Sequence, residues 1–518
     1  DLLGKWIEQG AKWKPHWAFI KPTPYKKKNQ INTVDLFIDR QLDQKNLKKA
    51  SIADKNTLIR RVSYLLTGLP PLTKDVENFI DDSSVDAYQK MVDKYLNSSA
   101  YGERWARHWM DLVRYAETKG HEFDFTITGA WKYRDYLIRA FNNDVPYNQI
   151  LKEHLAGDLL ENKRYDTKNG VLESSIATNF YTLGEGAHSP VDIRQDEANR
   201  IDNMIDVITK SFQGLTVSCA KCHDHKFDPI TAKDYYALYG VMESTRFTPL
   251  DSELSIEKVN TAKEIQEIQS YITSLVGQKI QPKKSTQQVK INPPHHYKTI
   301  GDFRNHDLDD WLTTAYAFGD RTTLANPTIS KTSGKLMALD YGKASSRLYG
   351  EGLFGTLRSP DFTLDSDFIG VRARGNKSTI RIIIDNFQLI SNPIYGDLSK
   401  RVNQPSWKNY TFDVSAWKGH KAYVEIITGE YQKHHFKLSE DSYVEAEYSI
   451  SYDSKWPSEV KTTQNYKSQI KELNARLKTG ALSVYYPELI KVIERSKNLT
   501  KGLKSNSFIY GVSDGFAI

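Results

Sequence analysis

The segment Leu215-Thr-Val-Ser-Cys219-Ala-Lys-Cys222-His223-Asp224-His225-Lys-Phe-Asp228-Pro229 holds both cysteines of a 518-residue chain. It follows directly on residues 192–213, where Ile201, Ile205, Ile208 and Phe212 recur at helical spacing. A long amphipathic helix therefore delivers the chain into a C-x-x-C-H pattern, that of covalent haem attachment. The chemistry explains the spacing. Each thiol must form a thioether with one haem vinyl group, and a three-residue offset puts both thiols on one side of a helical turn. The next residue then points its imidazole at the iron as proximal ligand. With 13 histidines in the chain, two cysteines so placed before a histidine arise by chance on the order of once in ten thousand sequences.

Three other readings of the cysteines stand beside this one. They form a redox-active disulfide of thioredoxin type, although no βαβ pattern surrounds them. They form half of a zinc site, although only histidines could complete it. Or they are two buried thiols. His225 is too close in sequence to His223 to reach the opposite haem face. The candidates for a second axial ligand are His108, His121, His154, His188, Met110, Met204 and Met242. His108 leads them, because Tyr101-Gly-Glu-Arg-Trp105-Ala-Arg-His108-Trp109-Met110 is an aromatic helical stretch suited to a haem edge. A satisfied core histidine is the competing reading. Asp224, His225 and Asp228 are candidates for a second metal ion, with a polar turn before Pro229 as the alternative.

Composition bounds the rest. Domains of about 100–200 residues make three or so units the expectation. Hydrophobic residues at 39% and charged residues at 26% fit globular domains rather than disorder. The sequence has no apolar run of about 18 residues, so no membrane span is expected in it. The chain starts at Asp1 without a charged-then-apolar leader, which reads as a processed or truncated product. With a covalent haem, that points to the periplasm, the cell surface or the extracellular space. The 71 basic and 64 acidic residues leave a net charge of +7. Lys26-Lys27-Lys28 and Lys283-Lys284 read as solvated loops, and no nucleic-acid partner is expected.

Residues 1–30 read as a short helix and a Pro-rich arm. Helices are expected over 33–50, from Asp54 to Gly68, from a cap at Thr73, and over about 86–98, 100–117, 130–142, 146–156, 192–213 and 234–242. The first 245 residues are thus mainly α. Residues 256–280 and 458–478 read as the two arms of a helical hairpin, and Pro487 opens a further helix. Between those arms the pattern changes to short alternating runs: Ile380-Arg-Ile-Ile-Ile384, Tyr410-Thr-Phe-Asp-Val414 and Ala422-Tyr-Val-Glu-Ile-Ile427. The class expected is α+β multidomain, a mainly α-helical haem-motif domain followed by a jelly-roll-like β-sandwich inserted between two helices. Trp311, Trp407 and Trp417 offer faces for sugar rings, with core packing as the alternative. Ser507-Phe-Ile-Tyr-Gly-Val512 reads as a strand.

Several of these stretches together resemble the planctomycete-type cytochrome c proteins. Trp6-Ile-Glu-Gln-Gly-Ala11 with Pro15-His-Trp-Ala-Phe19 is similar to the tail of that family's N-terminal cytochrome domain. Arg60-Arg-Val-Ser-Tyr-Leu-Leu-Thr-Gly-Leu-Pro-Pro71 is similar to the opening of its second domain. Tyr101–Trp109, Arg114-Tyr-Ala-Glu117, Trp131-Lys-Tyr-Arg-Asp135, Leu155-Ala-Gly-Asp-Leu159 and Cys219–Pro229 with Asp234-Tyr-Tyr-Ala-Leu238 follow in order. Asp385-Asn-Phe-Gln-Leu-Ile390 and Pro393-Ile-Tyr-Gly396 resemble its insert.

The resemblance implies a division into 1–32 (an N-terminal arm, the tail of a missing cytochrome domain), 33–250 (helical, with C-x-x-C-H), 251–299 (helix and linker), 300–452 (sandwich) and 453–518 (helical return and the start of a C-terminal domain). It implies haem c, bound through Cys219, Cys222 and His223. The function expected is an exported c-type cytochrome module, passing electrons to a redox partner protein or fused cytochrome domain and oxidising a carbohydrate. Two alternatives stay open. One is a haem- or metal-assisted glycan-active enzyme. The other is a carbohydrate-binding scaffold with a disulfide at the cysteines, for which a polysaccharide is the partner.

Overall fold

A computed structural model describes residues 1–251, 297–456 and 508–514, with gaps at 13–15, 23–32, 122–123, 188–189, 306, 324–326, 330–335, 341, 388–396, 433–434 and 455; Asn260, Thr261, Glu264 and Glu267 are also described. The expected hairpin of 256–280 with 458–478 and the helix after Pro487 lie outside the described residues.

The helices are α1 (Leu2–Glu8), α2 (Thr33–Gln44), α3 (Lys55–Thr67), α4 (Thr73–Asp81), α5 (Ala87–Leu96), α6 (Ser99–Leu112), α7 (Ala130–Asn142), α8 (Tyr147–Ala156), α9 (Glu173–Ala177), α10 (Ile193–Gln213) and α11 (Ala232–Glu243). Local chemistry sets their ends. Asp54 caps α3 by accepting from Thr57 N at 3.0 Å, and Gly68 closes it in the left-handed conformation. Asp192 caps α10, and Gly214 ends it at φ 66°. Two boundaries differ from the sequence expectation. Leu72 precedes α4 without a side-chain cap, so Thr73 is its first residue rather than its cap. Helix α6 stops at Leu112 instead of running to 117, because Arg114 turns to φ 53°.

One core lies among α6 to α11. It buries Tyr133, Tyr136, Leu137, Phe180, Ile201, Ile205 and Tyr235. A smaller cluster of Ile59, Phe79, Ala87, Met91 and Tyr95 joins α3, α4 and α5. Among the described residues, no helix is long and apolar enough to cross a membrane.

Strands β1 (Tyr165–Asp166) and β2 (Val171–Leu172) pair between α8 and α9, and β3 (Thr245–Asp251) follows α11. The second region holds β4 (Tyr297–Asp302), β5 (Leu312–Ala315), β6 (Pro327–Ile329), β7 (Leu336–Ala338), β8 (Ala344–Ser345), β9 (Gly355–Arg358), β10 (Phe362–Thr363), β11 (Phe368–Ile384), β12 (Ser399–Asp413), β13 (Lys421–Thr428), β14 (Glu430–Gln432), β15 (His435–Lys437) and β16 (Tyr443–Tyr452). Last comes β17 (Phe508–Asp514).

Nine of these strands form one antiparallel sheet in the order β4-β16-β11-β13-β9-β5, with β12 on β11, β8 on β16 and β10 on β13. The long β11 makes this a curled sheet instead of two separate ones. Its first half, Phe368–Asn376, pairs with β16, and its second half, Ser378–Ile384, pairs with β13. Register shifts against β12 mark the bend at Gly375. A Cβ there would come within 2.3 Å of the Tyr443 carbonyl oxygen, so the bend requires glycine. The sheet encloses Ile369, Val371, Ile380, Ile382, Phe412, Val424 and Ile426. The expected α+β class is thus found, with the sandwich realised as this single curled sheet. The tryptophans divide: Trp311 is buried in the core, Trp417 packs against it, and Trp407 is half-buried with Arg374 and Lys343 over its ring.

The two regions meet at α10. Ile193 is buried in the sheet's core, and Asn386 Nδ2 donates to Thr245 O at 3.1 Å. The last strand, β17, returns to the helical region by pairing antiparallel with β3. The chain from 252 to 507 therefore leaves and re-enters at one place.

Outside its apolar core the sheet carries a buried charge ladder. On β16, Glu445 accepts from Ser345 Oγ at 3.1 Å and from Arg347 Nη2 at 2.9 Å, and also pairs with Arg374. Two residues on, Glu447 accepts from Lys343 Nζ and Arg372 Nε, both at 2.8 Å. Burial raises the Glu445 pKa, but the two guanidinium groups outweigh it and hold the carboxyl at about 2. A folded pKa below the ordinary 4.5 means that this stabilisation is complete above about 4.5 and is lost as pH falls through about 2. Glu445→Gln is expected to cost about 2–4 kcal/mol in chemical denaturation at pH 7, because Arg347 and Arg374 lose their shared buried carboxylate and keep Glu351 and Asp340. A loss below about 1 kcal/mol would mean that the ladder is not energetically coupled.

Candidate functional site

Helix α10 ends at Gly214, and Val217 and Ala220 are then buried against α10 and α11. With those two residues turned inward, a 3₁₀ turn over Val217–Lys221 leaves Cys219, Cys222 and His223 exposed, and both thiols are free. Asp202 on α10 anchors the turn at two points, Lys221 and Ser218, and ties α11 to the same place through Tyr235. Its carboxylate accepts from Tyr235 Oη at 2.7 Å and lies 3.4 Å from Lys221 Nζ. Its carbonyl accepts from Ser218 Oγ at 3.3 Å. From α11, Tyr236 Oη donates to Lys221 O at 3.2 Å. The cysteine-bearing turn is therefore fixed on rigid helices while its reactive atoms face solvent.

The histidines divide by what their nitrogens meet. His223 Nδ1 lies 2.8 Å from the Asp224 carbonyl oxygen. A carbonyl only accepts, so Nδ1 carries the proton and the Nε2 lone pair is left for a ligand. This is the tautomer that a metal-ligating imidazole adopts when its other nitrogen is held by a carbonyl.

His225 is the reverse. Its Nδ1 accepts from the backbone N–H groups of Phe227 at 3.2 Å and Asp228 at 2.8 Å, and its Nε2 lies 2.9 Å from Thr216 Oγ1. Both nitrogens serve the loop. Asp228 Oδ2, 3.5 Å from Nδ1, is a neighbour of an accepting nitrogen and not an ion-pair partner. Asp224 Oδ1 accepts from Ala232 N at 2.9 Å, ahead of α11. The structure thus brings Asp224, His225 and Asp228 into one loop and engages two of them in holding it. Among the described residues, no three of His, Cys, Asp or Glu are grouped to hold a metal ion.

The candidates for a second axial ligand are scattered. His108 is exposed on α6, its ring edge against Trp105 at 5.5 Å. Helix α6 packs mainly on α7 and α3, whereas the cysteine turn packs on α10 and α11. His121 is exposed, and His188 lies outside the described residues. Met204 and Met242 are buried in the helical core, and Met110 packs against it.

His154 is fully buried. Its Nδ1–H donates to Ile150 O at 2.8 Å, and its Nε2 accepts from Tyr133 Oη at 2.7 Å. The rings of Trp109, Tyr136, Phe180 and Phe212 surround it. Burial pushes its pKa down to about 4. It is a neutral core histidine with no lone pair to spare.

Sequence reasoning missed Asp202, Thr216 and His16. Asp202 is one more acidic residue on a charged helix, and only the fold turns it toward the cysteines. His16, from the N-terminal arm, lies 3.7 Å from Asp228, a contact that no local pattern announces.

Residues 33–247 match the family model PSCyt2, a protein of unknown function (DUF1549). The match takes in the whole cysteine turn. No curated protein matches the chain. Among solved structures the chain is similar to the glycoside hydrolase domain of Endo-D from Streptococcus pneumoniae R6, at 16% identity over 28% of this chain and 22% of that one, with a TM-score of 0.18. It is similar to a family two carbohydrate esterase from Cellvibrio japonicus, at 10% identity over 33% of this chain and 37% of that one, TM-score 0.16. The K3 cleaved adhesin domain of Lys-gingipain from Porphyromonas gingivalis w83 shares 14% identity over 31% of this chain and 100% of that one, TM-score 0.19. Scores this low say nothing of a substrate or a polysaccharide partner.

Asp202→Ala is expected to loosen the cysteine turn, costing about 1–3 kcal/mol for the Tyr235 hydroxyl it strands. Hydrogen exchange at Cys219–His223 reads this directly. Protection unchanged from wild type would show that Asp202 does not hold the turn. His154 gives a separate signature. Its folded pKa of about 4 lies below the ordinary 6.5, so the unfolded state binds the proton more readily. Its contribution is complete above about 6.5 and is lost as pH falls through about 4. His154→Gln is expected to flatten the pH dependence of stability across that window, read by denaturation at stepped pH.

Proposed function

We propose that residues 33–247 form an exported c-type cytochrome module in which Cys219 and Cys222 carry haem, His223 is its proximal ligand, and the product is a one-electron carrier for a partner redox protein. The observation that carries this reading is the state of His223. Its Nδ1–H is held by the Asp224 carbonyl, its Nε2 is unengaged, and two free, exposed thiols precede it on the same turn. The PSCyt2 match over residues 33–247 supports the same reading.

Haem, when bound, supplies an iron centre that gains and loses one electron. The chain supplies the rest. Cys219 and Cys222 would hold the group through thioethers, each formed by adding S–H across a vinyl group, with the sulfur on one carbon and the hydrogen on the other. The Asp224 carbonyl fixes the imidazole tautomer, and Asp202 keeps the turn from drifting. Cys219, Cys222 and His223 would hold the haem; His108, exposed on α6 and proposed on its sequence context, would be a further iron ligand only if α6 came to the cysteine turn.

The test is expression with a covalent haem-attachment system, followed by a pyridine haemochrome spectrum. A c-type band in wild type and none in Cys219→Ser/Cys222→Ser is expected. A colourless wild-type protein overturns the proposal. Without haem, both thiols are expected to react with an aromatic disulfide reagent without denaturant, and neither once haem is attached. His108→Ala is expected to alter the iron spectrum of the loaded protein, and an unchanged spectrum removes that residue from the proposal.

A further inference from the structure

Among the described residues, two cations near α10, Arg114 and Lys119, form no ion pair. Arg114 follows α6 in a left-handed conformation at φ 53°. Its Nε donates to Asn203 Oδ1 at 2.7 Å, and its Nη1 reaches the Val113 carbonyl at 3.3 Å. Lys119, five residues on, donates its Nζ to the Thr182 carbonyl. Both side chains sit deep among protein atoms yet keep part of their surface open to solvent. Among the described residues, neither has a carboxylate within ion-pair distance. Arg200 stands close by and is matched by Asp196 at 2.8 Å. Asp196 and Glu197 lie near Arg200, and the Glu185 side chain reaches the Gly120 position beside Lys119, yet none of them forms an ion pair with Arg114 or Lys119. Asp206 acts on Arg114 only from a distance.

Comparable cations elsewhere in the chain are neutralised. Arg139 meets Glu173 at 2.6 Å, and Arg164 meets Glu153 at 2.9 Å. Lys343 meets Glu447 at 2.8 Å. Holding a cation out of water without a partner is costly, and two side by side more so. Burial first, and then the charges of Arg200 and Arg114, push Lys119 down to about 7. Burial pushes Arg114 down to about 10.

The backbone is also shaped around the pair. Gly184 lies at φ 100°, and a Cβ on it would come within 2.8 Å of Arg114 Nε, so only glycine lets that loop approach the guanidinium. Two residues on, Gly186 N donates to Lys119 O at 3.1 Å and ties the two loops together.

We propose that Arg114 and Lys119 form a binding site for an oxyanion where the 113–120 and 182–187 loops meet helix α10. A carboxylate, sulfate or phosphate oxygen set offers the acceptors that a guanidinium and an ammonium require. The source is either a free inorganic anion or an anionic group on a sugar.

The experiment is thermal unfolding of the full chain at fixed ionic strength, with sodium chloride replaced stepwise by sodium sulfate in one arm and sodium glucuronate in another. A saturable rise in melting temperature in at least one arm is expected. Lys119→Gln and, separately, Arg114→Gln are expected to weaken the half-saturating concentration about tenfold or more. Lys90→Gln, whose side chain is exposed on α5, is expected to keep the wild-type response. A rise with sulfate alone assigns the site to an inorganic anion, and a rise with glucuronate assigns it to an acidic sugar. No saturable rise in wild type, or one of equal midpoint in both variants, overturns the proposal. The wild-type titration decides alone if neither variant folds.

Discussion

The burial of α10 between two cores is the constraint on which the rest of this molecule depends. Twenty-one residues of helix carry four different tasks on different faces. Ile193 enters the core of the sheet, and Ile201, Met204, Ile205 and Phe212 build the helical core. Asp202 grips the cysteine turn. Asn203 holds Arg114, and Asp196 and Arg200 stand near Lys119. A helix loaded in this way cannot rotate or slide without disturbing every one of these contacts. This gives an exposed turn a rigid base, since packing and not intrinsic propensity supplies most of a helix's stability in a folded chain.

Several buried carboxylates are paired with cations that keep them ionised. Glu445, between Arg347 and Arg374, is the deepest case. Glu153 is another, held by Arg164 with help from Tyr136 Oη at 2.8 Å. Such pairs stabilise only when complete, because removal of one member leaves a desolvated charge. Among the described residues, the Arg114–Lys119 pair has no such partner, which is why it reads as a site.

The histidines show how much chemistry is settled by backbone partners. His154, His223 and His225 are the same residue type within one helical region. In His154 and His225 both ring nitrogens are consumed, by core and loop respectively. In His223 a single carbonyl fixes the proton on Nδ1 and leaves the other nitrogen to a ligand. No feature of the residue itself distinguishes these cases. A carbonyl, a hydroxyl and two amide N–H groups do.

From the sequence alone, the helices were legible because their signals are local. Periodic Ile201, Ile205, Ile208 and Phe212, with Gly214 behind them, specify α10 without reference to anything distant, and residues 130–142 define α7 in the same way. The cysteine turn was legible because its chemistry demands a fixed spacing. The alternating runs announced a sheet for the same reason, since a strand's period is two. Only the tertiary structure decided that β11 bends at Gly375 and joins two layers into one curled sheet, because bulges depend on which strands lie alongside. It alone placed Asp202 under the cysteines, sealed His154 among aromatic rings and left Arg114 beside Lys119 without a carboxylate. Those outcomes are set by contacts between residues far apart in the chain, and their energies arise from desolvation and charge, which have no period to read.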